Sequence, residues 1–65
     1  MQFDTHNIND TLTNNGTTVR ISKTDNNEYQ VMYMNPRGWW HCIDRTPDVI
    51  QAIHEANLWL GIKAV

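Results

Sequence analysis

His41, Cys42 and Asp44 bring an imidazole, a thiol and a carboxylate into one short segment, "HCID". Working together they could support nucleophilic chemistry, which needs a thiol within hydrogen-bond reach of a base. The segment reads as a strand, however, where neighbouring side chains point to opposite faces, so His41 and Cys42 cannot act as a pair. Cys42 is better read as a small buried apolar residue. His6 and His54 are the remaining imidazoles, and no spacing among the three resembles a tetrahedral metal site. His54 with Glu55 reads as a solvated helix face. Asp44, Arg45 and Asp48 flank a helix start and read as capping and surface charge. Gly16, Gly38 and Gly61 stand apart, each suited to a turn or a cap, and no phosphate-cradling loop is present. The chain is therefore read as non-enzymatic, with no cofactor and no metal.

The next candidates are two adjacent tryptophans, Trp39 and Trp40, which follow the turn "NPRG". On a strand, one of them can fill a core and the other must face away. Which is which depends on the elements that position them.

"TTVRISKT" (17–24) alternates, with Val19 and Ile21 on one face and Thr18, Arg20 and Ser22 on the other, as in a half-buried strand. "DNN" (25–27) is turn chemistry. "EYQVMYM" (28–34) and "WWHCID" (39–44) are strands that are apolar on both faces. Between them Pro36 suits the second position of a turn and Gly38 the fourth. A helix is expected over about 47–60, with Thr46 as N-cap, Pro47 in the first turn, Val49, Ile53, Ala56 and Leu60 as the buried stripe, and Gly61 as a left-handed stop. The polar segment 1–16 reads as a short strand near 9–13 leading into a tight turn at Asn15-Gly16, with a frayed N-terminus as the rival. The expected fold class is α+β: a single domain over 1–65, built as a small antiparallel meander of three or four strands with one C-terminal helix on one face.

A two- or four-residue loop at "NPRG" pairs Met34 with Trp39, Tyr33 with Trp40 and Val31 with Cys42. A three-residue loop at Asp25-Asn26-Asn27 places Ile21 beside Val31. This register buries Val19, Ile21, Val31, Tyr33, Trp40 and Cys42 beneath Val49, Ile53, Ala56 and Leu60. It leaves Trp39, Met32, Met34, His41 and Ile43 on the far face, which one helix cannot cover. An outside cover is expected there, either a second copy or a foreign protein, and Trp, Met and Arg are enriched at such interfaces. The candidate partner-binding residues are Trp39, Met32, Met34, Arg37, His41 and, on the outer helix side, Leu58. Homodimerisation is the first expectation. The N-terminal segment, with Phe3, Ile8 and Leu12, is the internal alternative.

The formal net charge is −2 and the five basic residues are scattered. No basic stripe of the kind that binds phosphate backbones is visible, so nucleic acid is not an expected ligand. The alternative function is single-strand binding on an aromatic sheet face, with Trp39, Arg37 and Arg20 as the platform. Met1 opens neither a basic nor an apolar run, no stretch reaches membrane-spanning length, and the lone cysteine suits a reducing, cytoplasmic setting. In size and in its Asn/Thr-rich start the chain resembles the small accessory proteins of phages and mobile elements. That resemblance implies an inhibitor or modulator of a host protein, and no motif carries it.

Overall fold

The computed structural model describes residues 2–61. Four strands, β1 (Thr11–Asn14), β2 (Thr17–Lys23), β3 (Tyr29–Met34) and β4 (Trp40–Thr46), precede one helix, α1 (Val49–Trp59). The strands form a single antiparallel sheet in the order β1-β2-β3-β4, and α1 lies across one face of it. The small α+β architecture expected from the sequence is what the chain forms, with the fourth strand present. The Cα trace measures 30 × 30 × 17 Å, thick enough for a helix layer on a sheet layer and no more.

Each hairpin follows from its turn residues. Asn15 (φ 51°) and Gly16 (φ 80°) both adopt the left-handed conformation that a two-residue turn demands, and so pair Asn14 with Thr17. The β2–β3 turn is a three-residue loop. The Thr24 N–H donates to the Glu28 carbonyl at 2.8 Å, and Asn27 takes the left-handed position at φ 60°. Ile21 therefore pairs with Val31, as expected.

The β3–β4 turn corrects the sequence reading. It has the same three-residue form: the Asn35 N–H donates to the Trp39 carbonyl at 2.8 Å, the Gly38 N–H to the Asn35 carbonyl at 2.9 Å, and Gly38 sits at φ 85°. Met34 consequently pairs with Trp40 rather than Trp39, Tyr33 with His41 and Met32 with Cys42. One residue of slip moves every side chain of a strand to the other face. Trp40 and Cys42, expected in the core, lie on the face away from the helix, and Cys42 is exposed. His41, expected on the open face, lies on the helix side. A bulge follows, with Val31 opposite Asp44 and Ile43 as the extra residue, so Ile43 packs against the core.

The core holds Phe3, Val19, Ile21, Val31, Ala52, Ala56 and Leu60, with Ile8, Leu12, Tyr29, Tyr33, Ile43 and Ile53 packed around it. The small alanines at its centre let the helix approach the sheet closely. The expected stripe was placed slightly off-axis: Ala52 belongs to it, while Val49 and Ile53 are only half buried. The helix also starts later than expected. Asp48, not Thr46, is the N-cap, and its carboxylate accepts from the N–H groups of Ile50 and Gln51 at 2.9 and 3.4 Å. Thr46 instead accepts from the Asp48 N–H through its hydroxyl. At the other end Gly61 (φ 81°) stops the helix as expected, and Asn14 Nδ2 donates to the Leu60 carbonyl at 2.7 Å.

The N-terminal segment is ordered by its own side chains. Asp4 accepts from the N–H groups of His6 and Asn7, while Asn7 Oδ1 accepts from the Asp4 N–H. Asn57 on α1 then brackets Phe3: its Oδ1 accepts from the Phe3 N–H at 2.7 Å and its Nδ2 donates to the Phe3 carbonyl at 3.2 Å. Phe3 is thus fixed in the core beside the helix. The segment does not fold over the far face, so it is not the internal cover considered above.

Candidate interaction surface

With α1 and the N-terminal segment on one side, no second layer lies on the other side of the sheet among the described residues. The register defines its rows. Thr13, Thr18, Met34 and Trp40 cross the sheet at the end nearest the β3–β4 turn; Thr11, Arg20, Met32 and Cys42 form the middle row; Ser22, Gln30 and Arg45 form the far one. The hydroxyls of Thr13 and Thr18 lie 2.9 Å apart, a hydrogen bond that ties β1 to β2 on this face.

Arg20 and Trp40 organise the middle of the surface. They stand on β2 and β4, two strand spacings apart, or about 10 Å. The Arg20 side chain nonetheless reaches across β3 to place its guanidinium carbon 4.3 Å from the centre of the Trp40 ring. Such a cation–π contact is worth about 0.5–1 kcal/mol when exposed. Arg20 Nε is buried in this position and has no hydrogen-bond partner. The surface therefore has two methionines in adjacent rows and one arginine placed over a tryptophan ring.

The turn at the end of this face is built on Asn35. Its Oδ1 accepts from the N–H groups of Arg37 at 2.9 Å and Trp39 at 3.0 Å. Its Nδ2 lies 2.8 Å from His41 Nε2. Because Nδ2 can only donate, His41 Nε2 is the acceptor and the ring proton sits on Nδ1. The turn so fixed presents Arg37 and a Trp39 side chain that is 70% exposed.

The six candidate partner-binding residues are thus divided. Met32 and Met34 lie on the open face, and Arg37 and Trp39 occupy the turn beside it. His41 lies on the helix side, stacked on Tyr33 with ring centres 5.5 Å apart. Leu58 is 47% exposed on the outer side of α1. Two residues of this region were missed. Trp40, expected in the core, lies on the open face. Trp59, three residues beyond Ala56 and so at the margin of the helix stripe, stacks on Tyr33 with ring centres 4.6 Å apart. Trp59, Tyr33, Asn35 and Pro36 line a shallow depression of about 250 Å³.

For chemistry the arrangement offers little. The Cys42 thiol donates to the Asp44 carbonyl at 3.6 Å and meets no imidazole from its neighbour His41, which faces the opposite way. Among the described residues no group of three His, Cys, Asp or Glu side chains is placed to hold a metal ion, and no helix is long and apolar enough to cross a membrane. No family model, curated protein or solved structure matches the chain.

Proposed function

We propose that this chain is a non-enzymatic protein-binding module that works through the open face of its sheet. The observation that carries the reading is the pairing of Met34 with Trp40 and of Met32 with Cys42 on a face that none of the other described elements covers. Large apolar side chains gathered on one surface of so small a domain mark a contact site. Methionine adapts its shape to varied partners, and Trp and Arg supply anchors. Arg37 and Trp39 extend the surface at the turn. The free thiol of Cys42 suits a reducing compartment, in keeping with a cytoplasmic protein.

Single-strand nucleic-acid binding is less well served. Of its platform, Trp39 is exposed at the turn beside Arg37, but Arg20 is engaged on the Trp40 ring, and a chain of net charge −2 with scattered basic residues offers no stripe for a phosphate backbone. Self-association is the second reading. It is favoured by the two sheet edges, β1 and β4, whose outer backbone groups have no strand beside them among the described residues.

The test is affinity capture with the intact chain as bait, comparing wild type with Trp40→Ala/Met34→Ala and with Ile50→Ser/Leu58→Ser. Proteins retained by wild type and by the helix variant, but lost from the sheet variant, support the reading. Loss from the helix variant alone transfers the site to α1. Light scattering over a concentration series tests the dimer.

A further inference from the structure

The charges of the strands are sorted by face. β2 and β4 contain four charged residues, and β1 and β3 contain none. Arg20 and Arg45 lie on the open face, in rows with Met32 and Gln30. Lys23 and Asp44 lie on the helix side, opposite Tyr29 and Val31. Asp48 and Glu55 belong to the helix layer, and Asp4 and Asp10 to the segment packed beside it. A chain of net charge −2 thus presents, on the sheet face left uncovered among the described residues, two arginines and no strand carboxylate, with Arg37 at the adjoining turn. Asp44 is the chain neighbour of Arg45 but faces the helix, and two further carboxylates, Asp25 in the β2–β3 turn and Glu28 just outside β3, stand at the end of the sheet where Arg45 lies.

We infer that the occupant of this face is an acidic, apolar-anchored segment of another protein. The inference rests on the reading that the open face binds protein, and adds the partner's chemistry to it. Arg20 is the central element. Its Nε is buried against the sheet, so its outer guanidinium nitrogens are the donors left for a ligand, and a carboxylate is the acceptor that matches a guanidinium fork. Arg45, exposed in the far row, offers a second such donor. Met32 and Met34 lie near them as the apolar floor. A second copy of the chain fits less well, because stacking two open faces brings arginines toward arginines. A long polyanion fits less well too: the carboxylates of the rest of the chain repel it, and with Arg20 over the Trp40 ring only Trp39, at the turn beside the face, is left for a base to stack on.

The experiment selects binders to the intact chain from a displayed library of random dodecapeptides. The selected peptides are then titrated against wild type, Arg45→Gln, Arg20→Gln/Arg45→Gln and Met32→Ser/Met34→Ser, each first checked for a cooperative melt. Oligo-dT is the competitor. The expected result is enrichment of Asp and Glu beside apolar residues. Affinity should fall on the order of tenfold or more in the double arginine variant and less in Arg45→Gln, which touches an exposed residue and leaves the Arg20–Trp40 pair intact. Affinity should also fall in the methionine variant, and oligo-dT should not compete. Neutral or basic peptides that still need Met32 and Met34 overturn the acidic partner while keeping the binding face. Peptides indifferent to both sets of variants, or no enrichment, overturn the binding face itself. Competition by oligo-dT assigns the face to nucleic acid, and concentration-dependent dimerisation abolished in the methionine variant assigns it to a second copy.

Discussion

The two faces of this sheet are built from similar materials and do different work. Beneath the helix, Val19, Ile21 and Val31 are buried, and they are joined by Phe3, Ala52, Ala56 and Leu60. On the other face Met32, Met34 and Trp40 are only half buried, and they owe that shelter to one another and to Arg20 rather than to a second layer. The first face is closed by the chain's own helix and N-terminus. The second is left apolar in its floor and basic in its charges. What separates them is that the chain's own helix and N-terminal segment cover only the first. Side chains that hold the fold together should therefore be costly to change, and side chains on the open face should be cheap to change for stability yet costly for binding.

The largest effect is expected at Phe3. It is fully buried, and Phe3→Ala should destabilise the chain by about 3–5 kcal/mol. A domain of this size has on the order of 3–10 kcal/mol to lose, so urea titration should find the variant largely unfolded or close to it. Ile21→Ala should cost about 2–5 kcal/mol by the same measurement. Asn57→Ala comes next. It deprives the Phe3 N–H and carbonyl of their partners, and should lower stability by about 1–3 kcal/mol. Amide exchange of Phe3 should accelerate in that variant before the strands open. The smallest effect of the series belongs to the open face. Trp40→Ala should cost only about 1 kcal/mol, largely the loss of the contact with Arg20. If Trp40→Ala instead unfolds the chain as Phe3→Ala does, the contrast between the faces is broken.

Much of this architecture was legible in the sequence. The alternation of Val19 and Ile21, the turn at Asn15-Gly16 and the stop at Gly61 lead directly to β2, the first hairpin and the end of α1. The faces of β4 were not read correctly, and the reason lies in one turn. The two later hairpins use the same three-residue loop, closed by Asn27 in one and Gly38 in the other. Read with that loop, "TDNNE" gives the true register of β2 and β3. Read with an even-numbered loop, "NPRGW" reverses β4. The signal was present, since a glycine just after a type I turn led by Pro36 is the residue that takes the left-handed position. The bulge at Ile43 had no such mark, because the extra residue is an ordinary strand former. Phe3 was unreadable for another reason. A single aromatic in a polar segment gains its place from Asn57, and that partnership spans 54 positions of the chain. Of the six candidate residues, Met32 and Met34 keep the face expected for them, because they belong to β3, whose faces follow from the loop at Asp25-Asn26-Asn27.

The most direct test of the open face uses the chain's one thiol. Cys42 shares a row with Met32 and Arg20 and is exposed in the folded chain. Its rate of reaction with a small aromatic disulfide can be followed by absorbance under native conditions and in urea. Prompt labelling of the native chain, at a rate independent of protein concentration and approaching that of the unfolded chain, is the expected result. Labelling that proceeds only as fast as global unfolding would contradict the account, because it would place Cys42, and with it Trp40, beneath the helix.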